Sequence, residues 1–586
     1  MLRAMRFEAV LSALLALLLA ARQWWPAFRS LPSTGFGDWQ MIHHHWEAQR
    51  IAVQRFGEWP VWDPFFCGGI TIAGNPESQL YAPLFWLTFL IGSIAAAKLF
   101  LLLHAACALL GMYWLARAEY RLQPGAAAFA AVAWALSGWL AWDGSGGHAT
   151  FLPFAFAPWI VLCFRRSERS PAFVVATAAL LVLTLLEGGT YPFPYFVLLL
   201  ALELGLKLAQ RGSVRAVLRG AAQIAALTTL AGAIRLLPIA LELSATPRAV
   251  ASEDALGWRD VWLMLTARSH EWSFAPHPYV WPEYGSYVGY SVLALAAIGA
   301  AACVARRAPP HLLLGLLLFG LLMLGSPAPY FPWPLLHELP VYDSLRVPSR
   351  FAVLVTFYLA LLAGHALALL LMRLPRRPAL AVAGLAVAAQ SADMLAVTAE
   401  IVDRWHEPPL SSAAPEPAFH VANDSRYGFA LASYPQLNVG SLLCYAGAMN
   451  WQASPALWIG RSAQARVVRA RGRVLSWGVT TRRVFAEVDL PKPARVVFNQ
   501  NHAPGWTAST GELQEDRGRL AVDLPAGRRR IELVYAPPAL GYAAALSALG
   551  LGLMLWLLWR ARATLPPPPV LHPVASRAPA DAAHPD

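Results

Sequence analysis

Along the chain, long apolar runs alternate with short breaks rich in arginine. Runs begin near Phe7, Ala96, Gly125, Ala149, Pro171, Tyr191, Ala216, Tyr287, His311, Phe351, Ala379 and Ala539. Each is roughly 15–25 residues long, and about 20 apolar residues carry an α-helix across a bilayer. The pattern predicts an α-helical polytopic membrane protein with about 12 transmembrane helices. The apolar stretch 83–92 is too short to cross and is expected to be re-entrant or interfacial. With that stretch left out, every inner turn carries Arg or Lys. These are Arg117 with Arg121, Arg165 with Arg166 and Arg169, Lys207 to Arg219, Arg306 with Arg307, Arg373 with Arg376 and Arg377, and Arg560 with Arg562. Positive charge stays inside, so both termini are expected to be cytoplasmic. The first apolar run follows Arg3 and Arg6 and leads into Trp24-Trp25-Pro26 without an evident cleavage site, so it reads as a retained first helix.

The same topology sends four longer pieces outside: residues 29–95, 244–286, 326–350 and 399–538. In the last piece the period changes. Val484-Phe485-Ala486-Glu487-Val488, Arg495-Val496-Val497-Phe498 and Ile531-Glu532-Leu533-Val534-Tyr535 alternate, and Pro504-Gly505, Arg517-Gly518 and Ala526-Gly527 punctuate them. Period two with turn signals predicts a small antiparallel β-sandwich, with Trp506 in its core. The division is a membrane domain over 1–398, an extracytoplasmic β-rich domain over 399–538, a last transmembrane helix over 539–560 and a disordered cytoplasmic tail over 561–586, where four consecutive prolines stand.

Composition agrees with the pattern. Hydrophobic residues make up 57% of the chain and charged ones 14%, against roughly 25% charged in soluble domains. A formal net charge of +12 raises nucleic-acid binding, but the arginines lie in turns between apolar runs, so no nucleic-acid partner is expected. The 5 cysteines show no zinc-type spacing. Cys107, Cys163 and Cys303 read as small hydrophobes. Cys67 and Cys444 are the two on the oxidising side of this topology. A bridge would tether the β-rich domain over the membrane domain, but nothing in the sequence brings their Cα atoms within ~7 Å, and two unpaired buried thiols are expected.

The first outer piece carries the most chemistry. It holds Gly37-Asp38-Trp39, His43-His44-His45, Gly57-Glu58-Trp59-Pro60-Val61-Trp62-Asp63-Pro64 and Gly74-Asn75-Pro76-Glu77. Ile42, Trp46, Val53 and Phe56 recur at near-helical spacing, which predicts an amphipathic helix on the outer membrane face with Asp38 at its N-terminus. Asp is also a preferred N-cap, which is the plainer use of that residue. Asp63, between Trp62 and Pro64, fits a turn. Adjacent histidines on a helix point in different directions, so no metal is assigned to the triplet. No Asp-x-Asp motif is present, and a divalent cation is left open.

Several of these motifs have a common likeness. Gly37-Asp38, Gly57 to Pro64 with the trailing glycines, Leu80-Tyr81-Ala82-Pro83, Leu345-Arg346-Val347-Pro348-Ser349-Arg350-Phe351, Pro504-Gly505-Trp506, Leu524-Pro525-Ala526-Gly527 and Val534-Tyr535-Ala536-Pro537 occur in this order. Together they resemble the bacterial YfhO family of membrane proteins over nearly the whole chain. That family is grouped with GT-C glycosyltransferases, which take a sugar from a polyprenyl-phosphate carrier on the outer face, and some of its relatives are implicated in decorating cell-surface polymers. The resemblance implies a GT-C-like fold in the bacterial inner membrane. It further implies a polyprenyl-phosphate-sugar as donor, a cell-envelope glycan or lipid as acceptor, and a carboxylate in the first outer loop as base. Asp38 holds that position, with Asp63 and Glu187 as further carboxylates.

A leaving phosphate needs cations near the outer boundary. Arg346 and Arg350 lie just before a late helix, and Arg235 lies inside an apolar run near its outer end, where an arginine marks function by default. The alternative use of all three is snorkelling or pairing with a carboxylate such as Glu242. His148, after Gly144-Ser145-Gly146-Gly147, and Glu187, before Gly188-Gly189, sit in short outer turns facing the expected cavity, with Asn75 and Tyr81 as further lining residues. The glycines allow close approach of a ligand or a tight helical hairpin, and the hairpin is the expected use. Two other functions compete. A flippase for a lipid-linked saccharide should show inverted repeats and midplane helix breaks, whereas here the polar candidates gather at one face. A catalytically silent glycan-binding scaffold is the third reading.

Overall fold

The structure is a computed structural model that describes residues 2–563 except 211–212, 406, 408–409, 423–430 and 446–448. The expected tail lies outside the described residues from residue 564 onward. Every apolar run read above is helical. Eight helices are long and apolar enough to cross a membrane, from Arg6–Arg29 to Leu540–Ala561, and a bent pair would make a ninth. Pro171–Leu186, Gly289–Val304 and His311–Met323 are apolar but shorter, so fewer helices reach full length than the hydropathy pattern predicts. The chain is a multi-pass membrane protein with a β-rich region before its last helix.

Small side chains let these helices approach closely. On Pro124–Ala135, Ala126, Ala127, Ala130 and Ala133 are fully buried, and a Cβ on Gly364 would stand 3.0 Å from the Ala130 Cβ. Without a hydrophobic difference between lipid and core, such close packing is what holds helices together in a bilayer.

The run expected to cross from Ala216 does not do so straight. Val214–Ala231 and Ala233–Ala245 meet at Gly232 with a bend of 74°. Arg235, just past the break, is fully buried and donates to the carbonyls of Ala73, Asn75 and Pro76 at 3.3, 2.7 and 3.1 Å. Its charge is thus met by backbone oxygens of the first outer piece. Glu242 does not pair with it and instead accepts from the Trp451 indole at 2.8 Å.

The β-rich region is a sandwich of two antiparallel four-stranded sheets. Glu512–Asp516, Arg519–Leu524, Ala494–Asn501 and Ala465–Val468 form one, in that order. Arg473–Val479, Arg483–Leu490, Gly527–Tyr535 and Trp506–Ala508 form the other. Val484, Ala486, Val488 and Leu490 point inward with Ile531 and Leu533, as their alternation requires. Trp506 is buried as expected, and Trp62 from the first outer piece packs on it at 5.2 Å and on Tyr535 at 4.7 Å. The sandwich is therefore completed by a residue more than four hundred positions earlier, Trp62 also donating to Gln500 at 3.0 Å.

The helix predicted after Asp38 forms over Trp39–Gln54, but it does not lie on the membrane face. Residues from Trp39 to Gln49 are all buried. Trp39 and Trp46 join the core of the helical bundle, while Ala48 and Ile51 join that of the sandwich. The helix looked amphipathic because its polar side also has protein to meet. The stretch 83–92 forms two short turns, Pro83–Leu87 and Thr88–Ile91, with Leu90 80% exposed, and does not cross.

Cys67 and Cys444 are disulfide-bonded, with Cα atoms 4.5 Å apart, against the expectation of free thiols. What the sequence could not convey is the pairing that delivers them. Gly68 donates to Ser441 O and Ser441 donates to Phe65 O, at 2.8 and 2.9 Å. Non-reducing peptide mapping of protein purified without thiols should recover the Cys67–Cys444 cross-linked peptide. Complete alkylation of both thiols before reduction would contradict the bond.

Candidate functional site

A cavity of about 340 Å³ lies where the membrane helices meet the outer segments. Such a volume is in the range of about 300–1,000 Å³ usual for ligand sites. Its apolar walls come from Met41 and Ile42, from Leu185, from Val197, and from Leu236, Ile239 and Leu243 on the bent segment. Val197 is 47% exposed and lies on a helix mostly open to the surroundings, so the cavity wall is open along that helix. The charged and titratable side chains in its lining include Asp38, Glu77, His148, Arg248, Arg346 and Arg350.

Asp38 precedes Trp39–Gln54 but does not cap it, since its backbone is helical and its side chain makes no cap bond. The carboxylate turns into the cavity, 26% exposed, where it accepts from the Tyr445 hydroxyl at 2.9 Å and lies 3.9 Å from His148 Nε2. Two glycines permit this. Gly37 has φ +64°, and a Cβ on Gly147 (φ +87°) would stand 2.1 Å from Trp39 N and 2.5 Å from Asp38 C. The close approach is thus made by the Asp38–Trp39 backbone, with Asp38 N donating to Gly146 O at 2.9 Å. Gly147→Ala should cost roughly 2–5 kcal/mol from left-handed strain and overpacking and displace Asp38. Gly146→Ala, whose Cβ would first meet Pro282 at an ordinary 3.5 Å, should be tolerated. Melting temperatures of the two variants compare them directly.

His148 stands among three acids. Its Nδ1 is 3.0 Å from Asp143 Oδ1, and its Nε2 is 3.9 Å from both Asp38 Oδ2 and Glu283 Oε1. Each full charge at ~4 Å contributes about 4 kcal/mol at an effective dielectric near 20, enough to outweigh burial. Burial alone would lower the His148 pKa, but Glu283, Asp143 and Asp38 raise it above the usual histidine value. Asp38 moves the other way from an ordinary ion-paired acid. Burial raises its pKa, and His148 and Tyr445 offset this only in part. Glu283 is held down to about 2 because Arg350 and His148 together exceed the cost of its burial.

Arg350 donates through Nε and Nη2 to the two Glu283 oxygens at 2.6 and 2.7 Å, and its guanidinium lies over Tyr191 at 4.1 Å and Phe151 at 4.5 Å. Much of its hydrogen-bonding capacity is therefore spent within the protein. Arg346 and Arg248 differ. Neither has a carboxylate within 4 Å among the described residues; Arg346 rests over Tyr279 at 5.7 Å. Burial lowers the Arg248 pKa, with Arg346 and Arg350 adding to the shift and Tyr191 and Glu77 opposing it.

The other sequence candidates fall elsewhere. Asp63 is fully buried, accepts from Phe65 N at 2.9 Å as a turn residue, and faces His44 and His45. Glu187 is buried against His104 at 2.9 Å and does not line the cavity. Arg235 serves the loop carbonyls described above. Asn75 is buried and bonds Glu77 N at 2.9 Å, so it shapes the lining without joining it. Tyr81 packs near Trp59 at 6.5 Å, outside the cavity. Sequence reading missed Asp143, Arg248, Glu283 and Tyr445. Asp143 had a signal, an acid inside an apolar run. The other three lie in segments whose meeting is set by the fold alone.

No family model and no curated protein matches the chain, so the likeness to the YfhO family stays a resemblance. Among solved structures, the arabinofuranosyltransferase AftD from Mycobacteria aligns with a TM-score of 0.47 and 17% identity, over 74% of this chain and 31% of that one. The Archaeoglobus fulgidus oligosaccharyltransferase, in complex with Zn and sulfate, aligns with a TM-score of 0.43 and 13% identity, over 76% of this chain and 63% of that one. The chain spans about a third of AftD's length. Neither overlap is extensive enough to assign a fold family.

Proposed function

We propose that this protein is a membrane glycosyltransferase that moves a sugar from a polyprenyl-phosphate carrier to a cell-envelope acceptor at the outer face of the bacterial inner membrane, with both termini cytoplasmic. The observation that carries this reading is one cavity holding the carboxylate of Asp38, which caps no helix, and two arginines, Arg248 and Arg346, with no carboxylate within 4 Å among the described residues, behind apolar walls. An isoprenoid chain fits such walls. Its phosphate fits guanidinium groups, which bind such an anion as planar forks.

In the proposed reaction Asp38 accepts the proton of the acceptor hydroxyl. The freed oxygen attacks the anomeric carbon, the bond from that carbon to the carrier phosphate breaks, and the phosphate leaves with the bonding pair. Arg248 and Arg346 take up its charge where it develops. The raised pKa of Asp38 makes it a stronger base than an ordinary aspartate, and His148 favours its ionised form. This reading favours an enzyme over a flippase because these groups converge on one cavity near one boundary.

The test is release of polyprenyl phosphate from a polyprenyl-phosphate-sugar by the purified protein, run with and without Mg²⁺ or Mn²⁺. Arg248→Ala and Arg346→Ala should each raise KM for the donor about tenfold or more, since a charge-assisted bond contributes about 1.5–3 kcal/mol, and should leave the melting temperature unchanged. Donor movement across vesicles without cleavage would replace this reading with the flippase.

A further inference from the structure

We propose that His44, His45 and Asp63, all in the first outer piece, form a binding site for a transition-metal ion, zinc by the chemistry of its ligands, with the Leu431 carbonyl of the C-terminal region holding His44 in place. This does not rest on the glycosyl-transfer reading.

His44 Nδ1 is 2.8 Å from Leu431 O, and a carbonyl oxygen only accepts, so Nδ1 carries a proton. In the neutral ring Nε2 is then a bare lone pair. That lone pair faces Asp63 Oδ2 at 3.1 Å, in a place where the two side chains are 0% and 1% exposed. Two lone pairs do not face each other at this distance without a positive species between them. A second proton on His44 is one such species, and a metal ion is the other.

His45 decides between them. Its Nδ1 lies 3.7 Å from the same Asp63 oxygen, too far for a hydrogen bond. The three ligand atoms lie within 4.8 Å of one another. Tetrahedral zinc with bonds of about 2.0–2.1 Å sets its ligands roughly 3.4 Å apart, and the 3.1 and 3.7 Å separations fall on either side of this. A proton needs one partner for His44; the geometry supplies two imidazoles converging on one oxygen.

The surroundings of His44 and Asp63 match what a metal requires, whereas His45 Nε2 is buried with no hydrogen-bond partner among the described residues. The Leu431 carbonyl fixes the tautomer of His44 so that Nε2 is the ligand. Asp63 Oδ1 is occupied by Phe65 N at 2.9 Å, which leaves Oδ2 to the ion. Phe66 is fully buried and covers both imidazoles, its ring centroid 5.3 Å from each. Adjacent helix residues point apart, as the sequence reading held, yet they can bind one ion because His44 uses Nε2 and His45 uses Nδ1. Two imidazoles and one carboxylate select a borderline ion such as Zn²⁺ over Mg²⁺ or Ca²⁺.

The full-length protein, purified in detergent on a tag that binds no metal and without chelator, should contain about one zinc per chain by elemental mass spectrometry. His45→Ala and Asp63→Asn should each lower that content to about a tenth or less, and His502→Ala, in the sandwich, should leave it unchanged. Because a substitution at a buried site also disturbs packing, wild-type protein stripped of metal is titrated with Co²⁺ as well. Visible d–d absorption typical of tetrahedral cobalt, displaced by Zn²⁺, is expected. Wild-type protein that holds no zinc and gives no cobalt absorption would overturn the proposal and leave His44–Asp63 as a buried proton-bridged pair. So would variants that keep the full metal content.

Discussion

Asp38→Asn should lower transfer by about 10²–10⁴-fold, the range of a lost general base, and leave the melting temperature where it was. The isostere keeps the volume and still accepts from Tyr445, whose hydroxyl is 2.9 Å away, so the loss is confined to proton transfer. The pH profile separates this role from a structural one. Asp38 must be ionised to accept a proton, and burial raises its pKa, so the acid limb of kcat/KM should lie above the ~3.9 of a free aspartate. Tyr445→Phe removes a hydrogen bond that favours the ionised form. The acid limb should therefore move to still higher pH, with the rate above it little changed. Full turnover by Asp38→Asn would move the base to Asp143, the other aspartate on His148, and not to Asp63, which faces away in a closed site.

The second large effect is on stability. Arg350→Ala should destabilise the protein by about 3–5 kcal/mol, the usual result of stranding one charge of a buried pair. Arg350 and Glu283 have side chains only 9% and 8% exposed and meet through two short hydrogen bonds. Glu283 would keep its desolvation cost and lose the group that lowers its pKa to about 2. Arg350→Met combined with Glu283→Gln removes both charges and should recover most of the loss. Thermal unfolding in one detergent measures all three. An Arg350→Ala variant that melts with the wild type would mean the pair is hydrated and contributes little.

Local pattern carried the architecture and much less of the site. Twelve apolar runs read as helices are helical because a backbone surrounded by protein or lipid must close its hydrogen bonds within the run. The sandwich was visible through Val484, Ala486 and Val488, because its strands follow a period of two. The site is different, since it depends on which turns meet. Asp38, His148, Arg346 and Arg350 do converge on one cavity. Arg235 and Glu187 look the same in sequence but turn to backbone carbonyls and to His104. Nothing within a few residues of Glu283 or Tyr445 marks them, because their partners are 67 and 407 positions away. The helix after Asp38 misled for a related reason, as its polar face meets protein where water was expected.

The Cys67–Cys444 bridge also orders events in the life of the molecule. Synthesis proceeds from the N-terminus, so Asp38, His148, Arg248 and Arg350 all exist before the residue that bonds the base. Tyr445 is the immediate neighbour of Cys444, and the two arrive together, 377 residues after Cys67. Closing the bridge and seating the hydroxyl on Asp38 are thus one event near the end of assembly. A chain interrupted before that point lacks both the hydroxyl that bonds Asp38 and the partner of Cys67, so an unpaired Cys67 thiol distinguishes an unfinished molecule from a mature one.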